Sequence, residues 1–176
     1  QVPAKLVVPA SRAGVLSRID VVAAARPFAF VYGWVRPRIC ISTGMIQILY
    51  EQEIEAVLLH EGWHAARLDP LRFLFAQMFG TVFGMVPHIR RMVHVFFLTA
   101  EIAADRHAVM AMGEVKPLAR ALAKTMQPTF ATPGFEGQAE ARIAALAGEV
   151  PLTAGSGRTV ALVVLAEAAA LIPLLT

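Results

Sequence analysis

Two histidines four residues apart, His60 and His64, enclose Glu61 in the run His60-Glu61-Gly62-Trp63-His64. On a helix, residues at i and i+4 share one face, so both rings can direct a nitrogen at one metal ion. Glu61, one step round the helix, is then placed to take a proton from a water at that ion. Two imidazoles leave a tetrahedral zinc short of ligands, and a catalytic site needs a third protein ligand and one open position. The sequence offers Glu101 as that ligand, in Glu101-Ile102-Ala103-Ala104-Asp105. Asp105 follows one helical turn later and could accept a hydrogen bond from a metal-bound imidazole, which would fix its tautomer and raise its basicity. The bland alternatives are a polar helix face with two solvated histidines and, for Asp105, a surface salt bridge with Arg106 or Arg120. The flanks weigh against the first, because Ile54, Ala56, Val57, Leu58 and Leu59 precede the pair and Ala65 and Ala66 follow it. A buried histidine needs a partner, and this spacing suits a metal. Asp is also scarce, occurring only at 20, 69 and 105. His107 lies close enough to be a candidate oxyanion or substrate contact, whereas His88 and His94 read as structural.

The elements that must position these residues read as strands first and helices after. Lys5 to Val8 and Ile19 to Ala23 are short β-branched runs, and Phe28 to Tyr32 pairs with Arg38 to Ser42 through a turn at Gly33 to Pro37. A helix begins at Thr43 or Gly44. The next starts near Tyr50 with Glu51, Glu53 and Glu55 in its first turns, as the helix dipole favours, carries the His pair, and stops by Asp69 ahead of Pro70. Gly62 costs about 1 kcal/mol against Ala in mid-helix, which implies either a crowded neighbour or simple tolerance. Helical runs follow at about 70–86, 88–112 and 115–127. A turn centred on Pro87 would carry Glu101 back to the metal. Residues 129–138 read as a loop and 139–146 as a last short helix. An extended substrate needs a strand to lie against, and the candidates are Phe28, Ala29, Phe30, Val31 and Tyr32, provided that strand is an edge.

Composition narrows the setting. The 176 residues are 57% hydrophobic and 16% charged, with a mean hydropathy of +0.59, against roughly 45–50% and 25% in soluble domains. The apolar surplus lies in 71–86 and 160–175, each about 24 Å as a helix and so short of a hydrocarbon core of about 30 Å. The first is open between a buried core helix and a membrane segment. The second, beyond the linker 151–158, is assigned as a transmembrane segment over 159–176. The chain opens at Gln1 without Met and reads as an excerpt of a longer protein. The net charge of +3 comes from scattered Arg and Lys, without the basic patch that nucleic acid requires. Arg90, Arg91, Arg106, Lys116, Arg120, Lys124 and Arg158 flank the apolar stretches, a positive-inside bias that puts the site on the cytoplasmic side of the membrane. The single cysteine, Cys40, agrees with a reducing compartment and sits in an apolar run as a small core residue.

His-Glu-x-x-His followed by Glu-x-x-x-Asp is the pattern of thermolysin-like zinc peptidases. More specifically, the chain resembles the membrane zinc peptidases of the BlaR/MecR type. The likeness is carried by Pro27-Phe28-Ala29-Phe30 with Gly33, Arg36-Pro37-Arg38-Ile39, Ile41-Ser42-Thr43-Gly44, Glu55 through His64, Asp69-Pro70-Leu71, Pro87, Ala100 through Arg106, and Glu140 through Leu146. It implies an α+β, mainly helical, zincin-like (gluzincin) metallopeptidase domain over 1–150, with a small N-terminal sheet and membrane-associated helices. It further implies one Zn2+ held by His60, His64 and Glu101, Glu61 as catalytic base, and a bacterial cytoplasmic-membrane location. The substrate would be a protein or peptide, such as a repressor or the chain itself, cut in response to a signal, and lipid would be the other partner. No penicillin-binding sensor segment is present in the sequence, so β-lactam sensing is not supported. The CAAX-prenyl and heat-shock membrane peptidases share both motifs, but the Asp69-Pro70 and Pro87 pattern fits them less well. Two further readings stay open: a signalling module with a structural zinc and no cleavage, and a membrane-anchored interaction protein without metal.

Overall fold

A helix precedes the first strand, contrary to the strands-first expectation. In the computed structural model, which describes residues 2–125 together with Arg142 and Leu146, α1 spans Ala4–Arg12. The β-branched Val7 and Val8 suggest a strand, yet Leu6, Pro9 and Ala10 are the buried residues, the i, i+3, i+4 stripe of an amphipathic helix. Strand propensity yields here to packing, because this stripe joins the main core. Lys5 adds a tether, its Nζ donating to the carbonyl of Ile46 at 2.6 Å.

A three-stranded sheet follows: β1 (Ile19–Val22), β2 (Ala29–Tyr32) and β3 (Arg38–Ser42). The order is β1-β3-β2, with β1 parallel and β2 antiparallel to the central β3. The expected pairing of β2 with β3 is therefore observed, in the register Ala29↔Ile41 to Tyr32↔Arg38. Gly33, at φ +86°, makes the reversal after β2 in a conformation that strains other residues. Alternation sorts the sheet into two faces. Ile39 and Ile41, both fully buried, point into the core with Ile19 and Val31. Arg38, Cys40, Phe30, Tyr32 and Asp20 share the opposite face. Cys40 is buried there, and that burial raises its thiol pKa.

Helix α2 (Thr43–Ile48) starts as soon as β3 ends. Ser42 makes the junction: its Oγ accepts from the N–H of Met45 at 3.0 Å, capping the helix, and from the N–H of Phe28 at 3.0 Å. Helix α3 (Glu51–Ala66) comes next, with Glu53 Oε2 accepting from the N–H of Tyr50 at 2.9 Å in its first turn. Ile54, Ala56 and Leu58 are fully buried, and α3 packs against α1, β2, β3 and α6 (Lys116–Thr125). Gly62 resolves in favour of crowding, since a Cβ there would sit 3.1 Å from Val15 Cγ1.

Helices α4 (Asp69–Phe83) and α5 (Pro87–Met112) complete the described elements. Two compact units are distinguished, one of 2–74 and 104–125 and one built from 75–103. The first holds the sheet, α1 to α3 and α6. In the second, α4 and α5 meet around Pro87, with Gly80 facing Val93, and Phe75, Met78, Val82 and Met85 are 62, 55, 67 and 95% exposed. Among the described residues no helix is long and apolar enough to cross a membrane. The loop expected at 129–138, the linker at 151–158 and the segment at 159–176 lie outside the described residues. So does the helix expected at 139–146, apart from Arg142 and Leu146.

Candidate metal centre

Helix α3 sets the spacing of the two histidines, and its buried face sets their environment. His60 and His64 are each 6% exposed, and their ring centroids lie 4.8 Å apart. Each ring has a carboxylate behind it. His60 Nδ1 lies 2.8 Å from Asp105 Oδ1, and His64 Nδ1 lies 2.8 Å from Asp69 Oδ2. Both carboxylates are buried, Asp105 at 2% and Asp69 at 0% exposure. With Nδ1 of His64 donating to Asp69, the Nε2 of that ring is left as an acceptor, and it faces His60 Nε2 at 3.2 Å. Two ring nitrogens this close are held together by a proton on one of them or by a cation between them. Two nitrogens each about 2.05 Å from one tetrahedral ion stand about 3.3 Å apart, so the observed separation suits a shared ion.

Asp105 and Asp69 reach the rings by different routes. Asp105 lies on α5 beside the fully buried Ala104 and Ala108, a small-residue stripe that lets helices approach closely. The salt-bridge alternative for it at the surface is displaced by this burial. Asp69 lies only five residues past His64 and reaches back because Leu68, at φ +55°, takes a left-handed turn between α3 and α4. That conformation costs a non-glycine residue about 1–2 kcal/mol, and local strain of this kind is tolerated where a site is built. Arg72, one turn into α4, holds the other oxygen of Asp69, while Phe73 closes edge-on over His64 at 5.8 Å. By sequence alone Asp69 reads only as a helix stop; the scarcity of Asp and its position just past the second His are the signals that could mark it.

Glu101 stands one turn before Asp105 on the continuous α5. One ligand atom from each of His60, His64 and Glu101 lies within 4.8 Å of the others. These three residues could hold a metal ion, with two imidazole nitrogens and a carboxylate oxygen, a donor set that suits zinc. Arg142 Nη1 lies 2.9 Å from Glu101 Oε2. Glu61 follows His60 on α3 and is partly buried.

His107 stacks on Trp63 at 4.7 Å with 28° between the planes, and Arg67 lies over the same indole at 5.3 Å. This ring pair gives both residues a packing role, and His107 is not part of the cluster. The residues Ala29 to Tyr32 form β2, an edge of the sheet among the described residues, and this strand packs against the helix bearing the His pair. Phe28 lies just before it. On the outer face, Asp20 accepts a two-pronged bond from Arg38, at 2.5 Å from Nε and 2.7 Å from Nη2, and a bond from the Tyr32 hydroxyl at 2.5 Å. The Arg38 and Tyr32 bonds hold the Asp20 carboxyl down at about 2.

Comparison with known proteins returns one finding. No curated protein and no solved structure matches the chain. The model of the BlaR1 peptidase M56 family matches residues 22–139, a span from β1 to beyond α6 that contains His60, Glu61, His64, Glu101 and Asp105. Since this covers more than half of the 176 residues, the chain belongs to the BlaR1 peptidase M56 family.

Proposed function

We propose that the protein is a zinc-dependent endopeptidase that cleaves a peptide bond in a protein substrate, as a step in regulatory or signal-responsive proteolysis. The observation that carries this reading is the pair of Nε2 atoms converging at 3.2 Å, each ring backed by a buried carboxylate and with Glu101 alongside. His60, His64 and Glu101 would hold the zinc. When bound, zinc supplies Lewis acidity, which polarises a carbonyl and acidifies water.

The chain's own groups do the rest. Asp69 accepts from Nδ1 of His64 and Asp105 stands 2.8 Å from Nδ1 of His60, so that both carboxylates are placed to keep the Nε2 lone pairs in the ligand position when metal binds. Glu61 takes the proton of the attacking water and passes it to the leaving amine. A substrate chain adds to the free edge of β2, over Phe28 to Tyr32, with main-chain hydrogen bonds supplying register. The exposed apolar side chains of 75–86, next to the exposed Arg90 and Arg91, support a membrane-surface location, with the site on the cytoplasmic face of a bacterial membrane.

Glu61→Gln tests the reading. Zinc content should stay at the parent level while cleavage of a peptide mixture, followed by mass spectrometry, falls at least 10²-fold, the lower range for loss of a general base. Equal cleavage by parent and variant refutes the role of Glu61. A zinc-loaded parent that cuts nothing, yet supports a signalling output unchanged in Glu61→Gln, points instead to a structural zinc.

A further inference from the structure

The turn joining β2 to β3 and the C-terminal end of α3 enclose a cleft of about 760 Å³ that the proposed mechanism does not use. Its walls carry three arginines, Arg18, Arg36 and Arg38, set among Val35, Pro37 and Leu68. Arg38 is committed to Asp20 by the two-pronged bond already described. Arg18 and Arg36 are exposed and make no ion pair with any described residue. No acidic side chain is among the residues that line the wall. The last carbonyls of α3 could disfavour an anion, but those of Trp63 and Ala65 already accept from the N–H groups of Arg67 and Leu68. Two uncommitted guanidinium groups beside apolar walls are suited to a carboxylate, which they match in shape as well as charge.

The cleft's position says what would carry that carboxylate. It begins where β2 ends, with Val35 and Arg36 in the turn after Tyr32. Its floor includes Ala65 and Ala66, which directly follow His64 on α3. A polypeptide laid along the edge of β2 therefore leaves the strand at the cleft, close to the helix that holds the candidate zinc ligands. We propose that Arg18 and Arg36 bind an acidic group of the substrate chain, an Asp or Glu side chain or a terminal carboxylate, and so select substrates that are acidic near the cut. This rests on the peptidase reading and on substrate binding along β2.

Two measurements on the full chain test it separately from that reading. In the first, zinc-loaded protein digests a mixed peptide library and the cuts are mapped by mass spectrometry. Enrichment of Asp or Glu at a fixed offset from the cut is expected, with the preference over neutral peptides falling about 10–100-fold in the variant Arg18→Gln/Arg36→Gln, the range for losing hydrogen bonds to a charged group. Cutting without acidic enrichment, or enrichment unchanged in the double variant, overturns the inference and leaves the peptidase reading intact. In the second, a labelled Glu-containing peptide and its Gln-matched twin are titrated onto zinc-loaded Glu61→Gln protein. Tighter binding of the Glu peptide, lost in the arginine variant, supports the cleft even if the first measurement finds no cleavage and the peptidase reading fails. Equal binding of the two peptides overturns the inference. So does loss of binding to anionic lipid vesicles in the arginine variant with the Glu-to-Gln ratio unchanged, which would make the cleft a headgroup site.

Discussion

Replacing Asp69 by Asn changes one charge at a fully buried position whose neighbours are known. The carboxylate accepts from His64 Nδ1 at 2.8 Å and is held by Arg72 on its other oxygen. An amide could turn its N–H toward Nδ1, moving the ring proton to Nε2 and removing the lone pair that points at His60. Even with its oxygen toward the ring, it would no longer place a negative charge behind the metal-facing imidazole. Loss of such a supporting carboxylate lowers metal affinity by about 10–100-fold. Because the tautomer can switch as well, Asp69→Asn should fall near the upper end, roughly 2.8 kcal/mol. Asp105→Asn acts on the other ring and should fall within the same range. Because each carboxylate serves a different imidazole, the double variant should lose on the order of 10³-fold if the losses add. Competition with a chromophoric zinc chelator at fixed pH gives the dissociation constants, and the melting temperature of the metal-free forms reports any general damage. Zinc affinity within twofold of the parent in Asp69→Asn, with a lowered metal-free melting temperature, would show that Asp69 serves only to start α4.

Gly62→Ala sets helix propensity against packing. Alanine gains about 1 kcal/mol in mid-helix, but its Cβ would lie 3.1 Å from Val15 Cγ1, and Val15 is buried. Overpacking costs about 1–3 kcal/mol, so a net loss of up to about 2 kcal/mol is expected in a chemical-denaturation midpoint; a gain would show that Val15 yields freely. The Asp20 carboxyl, depressed from 3.8 to about 2 in the fold, stabilises the native state above pH 4 and loses that contribution as pH falls towards 2. Asp20 and Arg38 are 38 and 42% exposed as side chains, so the contribution is screened to under about 1 kcal/mol. Asp20→Asn should accordingly lower stability by a constant amount above pH 4, with the difference from the parent closing as pH falls towards 2; a difference that persists undiminished at pH 2 would contradict the assignment.

How much of the molecule is legible in its sequence follows from what each signal depends on. The His60/His64 spacing and the helix around it are local properties, and the apolar residues flanking the pair are enough to mark a buried face. Pairing of β2 with β3 is equally readable, because a short turn with Gly33 leaves two adjacent strands little choice. Helix α1 reads as a strand because its β-branched residues point outward, and only packing against the core reveals the Leu6, Pro9, Ala10 stripe. The contact of Asp69 with His64 is hidden because it depends on a left-handed Leu68, a conformation that residue type disfavours and local sequence does not announce. The parallel pairing of β1 with β3, which makes β2 an edge, depends on contacts distant in sequence. The arginine cleft is of the same kind: Arg18 and Arg36 are far apart along the chain and meet only through that pairing.

Whether the two histidines hold a metal is decided by elemental mass spectrometry of freshly purified protein, giving zinc per chain for the parent and for His64→Ala. About one zinc is expected in the parent, the occupancy of a single catalytic site, and none in a folded His64→Ala variant. A folded parent grown with zinc that carries none, or a His64→Ala variant that keeps the parent's content, would contradict the zinc site and the peptidase chemistry built on it.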